Sequence, residues 1–406
     1  MASIPSIDPL PEQRWLAPAV ALLLAVALLL ASYWLAAQPG GRAPAFALLV
    51  GASLGLVFQR SRFCFYCHAR DWFEQGDPRG LLAILLALAV GTVGYQIVVS
   101  SWLPVPDSGR LPPDAHIGPV SWALVLAGLA FGLGMRISGS CISAHLYRLG
   151  EGASTSPFAL LGVLGGFILG YASWNSLYSL TIATAPKWWL PHWLGYGGTA
   201  LAQLAVLGAL AAWLWQRRAV DLVTTTAPAK PPGTVRDALA RLFTGRWPYW
   251  SGGALVGLIG FVMLQRIPPL GVTSPLGNLA RRLGEHFQWV PERLEGLDTF
   301  AGCATVVSDS WLTVPNLLVL GLLPGALAAA LASRQWQPRR PTGQDILRGL
   351  SGGLLLGWGA MTALGCTVGT LLSGTQAGAV SGWVFGLAAL AGVWIGLQAV
   401  PTPAAR

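Results

Sequence analysis

Gly357-Trp358-Gly359-Ala360-Met361-Thr362-Ala363-Leu364-Gly365-Cys366-Thr367-Val368-Gly369-Thr370 is the stretch on which the reading of this chain turns. An apolar run enters it, another leaves it, and one cysteine sits at its centre among glycines and small hydroxyl residues. No charge falls between Arg348 and Arg406, so the surrounding sequence reads as membrane helix. Bare backbone amides in hydrocarbon cost several kcal/mol each, so a helix breaks at membrane depth only where it is buried in protein or lines a cavity. The Gly-Cys-Thr-x-Gly step is therefore expected to line a cavity.

The composition agrees. The 406 residues are 54% hydrophobic and 10% charged, whereas soluble domains carry about 25% charged residues. The mean hydropathy of +0.58 points the same way, and a soluble globular class is excluded. Fifty-one glycines suit close helix approach in a bilayer, and 19 tryptophans suit its interfaces. The net charge of +9 does not indicate nucleic acid, because the basic residues sit in short loops between apolar runs and read as cytoplasmic retention signals. Residues 16–37 are too long for a signal-peptide core and lack a small-residue cleavage site, so they are expected to form a first transmembrane helix. Five cysteines exclude a complete disulfide framework. Each lies at the edge of an apolar run, and free thiols near the membrane midplane are expected.

Apolar runs fall at about 16–37, 44–59, 80–102, 120–137, 157–175, 194–215, 249–266, 315–333, 349–365 and 378–400. Those at 44–59, 249–266 and 349–365 are short, which suits tilted or discontinuous helices. Arg217, Arg218, Lys230, Arg236, Arg241 and Arg246 cluster in the longest polar connector, together with the linker at residues 224–232, and place that loop in the cytoplasm. Counting outward puts Arg60, Arg62, Arg70, Arg79, Arg136 and Arg148 on the same side, then Arg334, Arg339 and Arg340. The segments 103–119 and 176–193 carry one basic residue each and fall outside, as do residues 268–300, whose arginines are offset by acids. Ten crossings with both termini inside result.

A unit of helix, cysteine-bearing break and helix recurs around Cys64, Cys141, Cys303 and Cys366. Gly55-x-x-x-x-Arg60-x-x-x-Cys64 resembles Gly132-x-x-x-Arg136-x-x-x-x-Cys141, and Gly302-Cys303-Ala304-Thr305 resembles Gly365-Cys366-Thr367-Val368. The charge-derived topology gives the two pairs opposite orientations. The expected architecture is an all-α polytopic membrane protein of inverted repeats, with short re-entrant helices at the cysteine-bearing breaks and about ten transmembrane segments. Residues 1–43 add an N-terminal helix, 44–193 form the first repeat half, 194–248 hold a linking helix and the basic loop, and 249–406 form the inverted half. Such repeats place a substrate site at the midplane, where half-helix ends meet.

Four thiols at corresponding breaks read as a line of ligands. Helix N-termini favour anions, and a thiol adds a weak S–H donor and a polarisable sulfur. Together they suit a small, soft, sulfur-bearing anion better than a hard cation. Cysteine as a small apolar filler is the plain alternative at any single position. Cys64-Phe65-Tyr66-Cys67-His68 has the spacing of a c-type haem attachment, but on the cytoplasmic side and with no methionine partner nearby. A redox Cys-x-x-Cys lacks a βα context. Cys67 and His68 are read as finishing a helix at the interface, and Arg62 and Arg136 as anchoring there. His145, four residues after Cys141, shares its helix face, but no carboxylate or second histidine completes a metal set. Asp309 is the clearest intramembrane acid, and Trp72, Trp188, Trp189 and Trp193 read as interfacial belt residues.

On Arg60-Ser61-Arg62-Phe63-Cys64-Phe65, Gly134-Met135-Arg136-Ile137-Ser138-Gly139-Ser140-Cys141 and Gly357-x-Gly359 leading to Gly365-Cys366-Thr367-x-Gly369, the chain resembles the YeeE/YedE family of sulfur-transport membrane proteins from about residue 44 to 400. The resemblance implies thiosulfate uptake across the bacterial inner membrane, without covalent chemistry and without a cofactor, through an hourglass of inverted repeats with short re-entrant helices. It implies a relay of three thiols, here Cys64, Cys141 and Cys366, with Cys303 in the matching break of the third repeat. It also implies a small cytoplasmic sulfurtransferase of the TusA type as partner. The extra N-terminal helix, the Cys67-His68 pair and His145 depart from the simplest family pattern, and leave open whether the anion is thiosulfate, a sulfite-like or a selenium species. The competing readings are a membrane thiol oxidoreductase using Cys64 and Cys67 as a dithiol, and a metal or haem protein.

Overall fold

The computed structural model describes residues 13–218, 234, 244–305 and 310–399, and within them every apolar run is helical. In chain order the helices are α1 (Gln13–Ala36), α2 (Arg42–Ser61), the short α3 (Phe65–Gln75), α4 (Arg79–Trp102), α5 (Trp122–Ser138), the short α6 (Ile142–Glu151) and α7 (Ser156–Leu177). After α8 (Pro191–Gln216) come α9 (Tyr249–Leu264), the short α10 (Ser274–His286), α11 (Val314–Ala332), α12 (Gly343–Thr362), a π-helical segment (Thr367–Gly374) and α13 (Val380–Ala399). Among the described residues nine helical segments are long and apolar enough to cross a membrane, and α9 is a shorter apolar helix. The chain is an all-α polytopic membrane protein. The linker at 224–232, Lys230, Arg236, Arg241, Asp309 and both termini lie outside the described residues.

Glycines decide which helices meet. Gly51 and Gly55 of α2 stand against Leu318 and Leu322 of α11, so these two helices run parallel. Gly253 and Gly257 of α9 stand against Ala83 and Ala87 of α4 in the same sense. Gly128 and Gly132 of α5 meet Ala388 and Ala389 of α13, while Gly162 and Gly166 of α7 meet Leu350 and Leu354 of α12, again in parallel. One further pair is antiparallel: Gly134 of α5 meets Gly352 of α12, and Ala127 meets Gly359.

Exchanging α2 with α9, α4 with α11, α5 with α12 and α7 with α13 returns this same set of contacts, the α5–α12 pair mapping onto itself. Parallel packing between helices from opposite halves, closed by one antiparallel pair on the axis, is what inverted repeats produce. The core is thus shared between the halves. α1 lies outside it against α2 and α11, and α8 against α4, each with a broad exposed apolar face.

Three of the four breaks are built alike. Just past the preceding helix the chain turns left-handed, at Arg62 (φ 52°) and Gly139 (φ 85°) directly after it and at Leu364 (φ 60°) one residue further on, and the cysteine two residues later starts the next short segment. The third repeat differs. Its short helix, α10, is capped by Thr273, and Cys303 reaches that cap from a later loop. Cys303 therefore stands beside the corresponding break and not at its own helix start, contrary to the sequence expectation. Glycine beside cysteine recurs in both segments, but a local resemblance of that kind does not specify which helix follows.

Two interfacial assignments change as well. Trp189 is buried and donates its indole N–H to the Ala377 carbonyl at 2.8 Å. The backbone is extended there, bridging to Ala379, so neighbouring side chains point opposite ways and Trp188 alone of the pair faces outward. Arg136 is also buried and donates to the Tyr66 hydroxyl at 3.2 Å, so it does not anchor at the surface.

Candidate functional site

The first-half breaks converge. Cys64, in extended backbone at the start of α3, accepts the Cys67 amide proton at 3.4 Å. Cys141 starts α6 with no side-chain cap bond, and its sulfur lies 3.3 Å from the Ser143 hydroxyl. The Cys64 thiol lies within electrostatic reach of those of Cys141 and Cys67. The first turns of two helices thus face one spot, with three thiols around it. Cys67, set aside in the sequence reading, belongs to this cluster. Arg148 completes the surround: it donates to the Ser140 hydroxyl at 2.5 Å and acts electrostatically on Cys67, Cys64 and Glu151. Glu151 in turn accepts from the Gln59 amide at 3.3 Å, and Gln59 also donates to Gln335 at 2.9 Å.

The second-half breaks converge from the other side. Cys366 faces the backbone amides of Val368 and Gly369 in the first turn of the π-helical segment, and lies within electrostatic reach of both Cys303 and Cys141. Cys303 packs against Thr273 and Ser274 at the head of α10. The Thr370 hydroxyl donates to the Ala363 carbonyl at 3.0 Å, holding the left-handed turn at Leu364 closed. Gly271 and Gly369 leave the room that the Cys303 sulfur occupies: a Cβ on Gly369 would stand 2.6 Å from it.

His116 joins this second cluster from the 103–121 connector. Its Nδ1 is 2.9 Å from the Gly369 carbonyl, which can only accept, so Nδ1 carries the proton and Nε2 presents a lone pair when the ring is neutral. Burial lowers its pKa below the usual histidine value, and the Gly369 bond and Asp114 offset only part of that.

All four cysteines expected at the site are buried free thiols, and Cys67 is a half-buried one. The structure places Cys64 near Cys141 and Cys303 near Cys366, with Cys366 within electrostatic reach of Cys141. His145 stays apart, its Nδ1 3.3 Å from the Ser156 hydroxyl of α7. His68 packs edge-on against Phe63 and Tyr249. Among the described residues no group of three or more His, Cys, Asp or Glu side chains is arranged to hold a metal ion. Sequence reasoning missed His116, Thr273 and the role of Arg148. Arg148 had a signal, since it stands two helical turns beyond Cys141 on the same face. His116 had none, because it lies in the irregular Pro112-Pro113-Asp114-Ala115-His116 loop.

A family model described as Sulphur transport matches residues 60–395. The thiosulfate transporter TsuA of Escherichia coli (strain K12) is 28% identical over 375 residues, covering 86% of this chain and 92% of that protein. The thiosulfate transporter TsuA of Spirochaeta thermophila is 29% identical over 354 residues, covering 86% of this chain and 96% of that protein. The probable transporter YedE of Salmonella typhimurium is 30% identical over 175 residues, 42% of this chain. The chain belongs to the sulphur transport (YeeE/YedE) family.

Proposed function

We propose that this member of the sulphur transport family conducts thiosulfate through the thiol line, handing the anion from Cys303 and Cys366 to Cys141 and Cys64 without forming a covalent bond to it. The observation that carries this reading is that both halves contribute buried free thiols at helix starts, with the Cys303 sulfur lodged against Gly365 and Gly369 on either side of Cys366 in the chain, and Cys366 within electrostatic reach of Cys141. Each helix start offers amides to an anion, and the soft sulfur of each thiol suits the terminal sulfur of thiosulfate. Desolvating a dianion is costly, and donors along a narrow path offset that cost in steps. The names of the two TsuA relatives support the same substrate.

The face that holds Arg62, Arg70, Arg79 and Arg148 is assigned to the cytoplasm by the excess of basic residues there, in a bacterial inner membrane with both termini inside. The anion then leaves beside Cys67 and Arg148, where a TusA-type sulfurtransferase would receive it. The test is growth on thiosulfate in an uptake-deficient strain. Cys141→Ala and Cys366→Ala are expected to abolish it while the protein still inserts, and undiminished growth with both variants would remove the proposal.

The contact between Cys64 and Cys67 favours one second reading, a membrane thiol oxidoreductase that uses the two as a dithiol. Cys67→Ser separates the readings. An oxidoreductase requires it to be inactive, whereas conduction retains at least half of the wild-type uptake.

A further inference from the structure

A cavity of about 800 Å³ opens on the basic face, between the C-terminal ends of α2 and α8 and the N-terminal ends of α4 and α9. It is separate from the thiol line and far too large for a small inorganic anion, lying in the range of pockets that bury most of an organic ligand (roughly 300–1,000 Å³). Its two ends differ in chemistry. Arg60, Arg62, Arg79 and Arg246 line one end, and among the described residues no carboxylate lines the cavity. Asp77 pairs with Arg79 at 2.7 Å from just outside, yet the Arg79 side chain remains 46% exposed. The other end is apolar, formed by Leu82 and Leu86 of α4 and Leu204 and Leu207 of α8. Because α4 and α8 are both membrane spans, this end runs along the hydrocarbon. Trp215 and Trp250 flank the cavity with largely exposed rings, at the level where indoles sit against headgroups.

We infer that this cavity binds an anionic phospholipid, its phosphodiester held by the four arginines and its acyl chains laid along the α4–α8 groove. Basic pockets between membrane helices on the cytoplasmic side recognise acidic headgroups in this way. The charged end is made from the segment that leads into the Cys64 break: Ser61 and Arg62 line it, and the Arg60 carbonyl accepts the Trp247 amide at 3.0 Å. A lipid seated here joins α2, α4, α8 and α9 and steadies the approach to Cys64. The inference concerns lipid binding and stands whatever the chain transports.

Gly208 supplies the sharpest variant, since it lines the cavity and nothing lies within 4 Å of a Cβ built on it. Gly208→Leu therefore puts an apolar side chain into the groove from a Cβ that meets no other atom. Arg246→Gln removes one exposed guanidinium from the charged end. The experiment titrates the full-length detergent-purified protein with phosphatidylglycerol or phosphatidylcholine, reading bound lipid by native mass spectrometry and stability by thermal melting. Phosphatidylglycerol is expected to bind one per chain, about tenfold more tightly than phosphatidylcholine, and to raise the melting temperature. Both variants should melt like wild type without lipid and lose that preference by about five- to tenfold. Equal binding of the two lipids, the same stabilisation from inorganic phosphate alone, or undiminished phosphatidylglycerol binding by Gly208→Leu and Arg246→Gln would each overturn it.

Discussion

At Cys64, Cys141 and Cys366 a sulfur stands where serine, threonine or aspartate usually caps a helix. An oxygen there would accept a first-turn amide proton firmly and leave little for a ligand. Sulfur accepts weakly: Cys64 takes one amide at 3.4 Å, and Cys141 and Cys366 make no cap bond. In the proposed conduction, first-turn amides only weakly engaged by sulfur and the thiol donors would face the anion together. His116 adds a proton-sensitive element, because burial holds its pKa below the unfolded value of about 6.5. Below about pH 6.5 the unfolded chain binds more protons at this site than the folded one, so stability falls as pH falls. His116→Asn keeps an N–H for the Gly369 carbonyl and cannot titrate. Compared by thermal melting at about pH 7.5 and about pH 5.5, it is expected to lose less stability on acidification than wild type does. An equal loss in both proteins would show that His116 is not buried as described.

Among the elements, close packing of α7 on α12 sets how far the Cys366 turn stands from the first-half thiols. Gly353 and Gly357 bring α12 against the Ala159 and Val163 carbonyls of α7, leaving no space for a Cβ. Gly357→Ala is expected to cost about 1–3 kcal/mol or more through overpacking. Gly197→Ala, with nothing within 4 Å of the new Cβ, serves as the control and is expected to be neutral or stabilising by up to about 1 kcal/mol. Thermal melting in detergent reads both. The breaks at Cys64, Cys141 and Cys366 were legible because glycine, a basic or small residue and the cysteine fall within a few positions of one another. The third was not. Thr273 and Cys303 are separated by α10 and a loop, and only tertiary packing brings them side by side. The burial of Trp189 and Arg136 was hidden for a similar reason: hydropathy reports that a residue adjoins an apolar run, but not which way its side chain points.

The whole molecule is held together by helices that pair across the two halves. Long apolar runs and alternating loop charge made the all-α membrane architecture and its inverted repeats readable before any coordinates. The pairing partners were not readable, because a glycine-rich apolar helix advertises a close contact without naming its mate. In the proposed conduction, thiols contributed by both halves make one route. Its most direct test is uptake of labelled thiosulfate into proteoliposomes containing the purified protein, comparing wild type with a Cys64→Ala, Cys141→Ala, Cys366→Ala variant of matched thermal stability. Thiosulfate is expected to enter with the wild type and to stay at the protein-free background with the variant, whereas wild-type uptake by the variant would contradict the account.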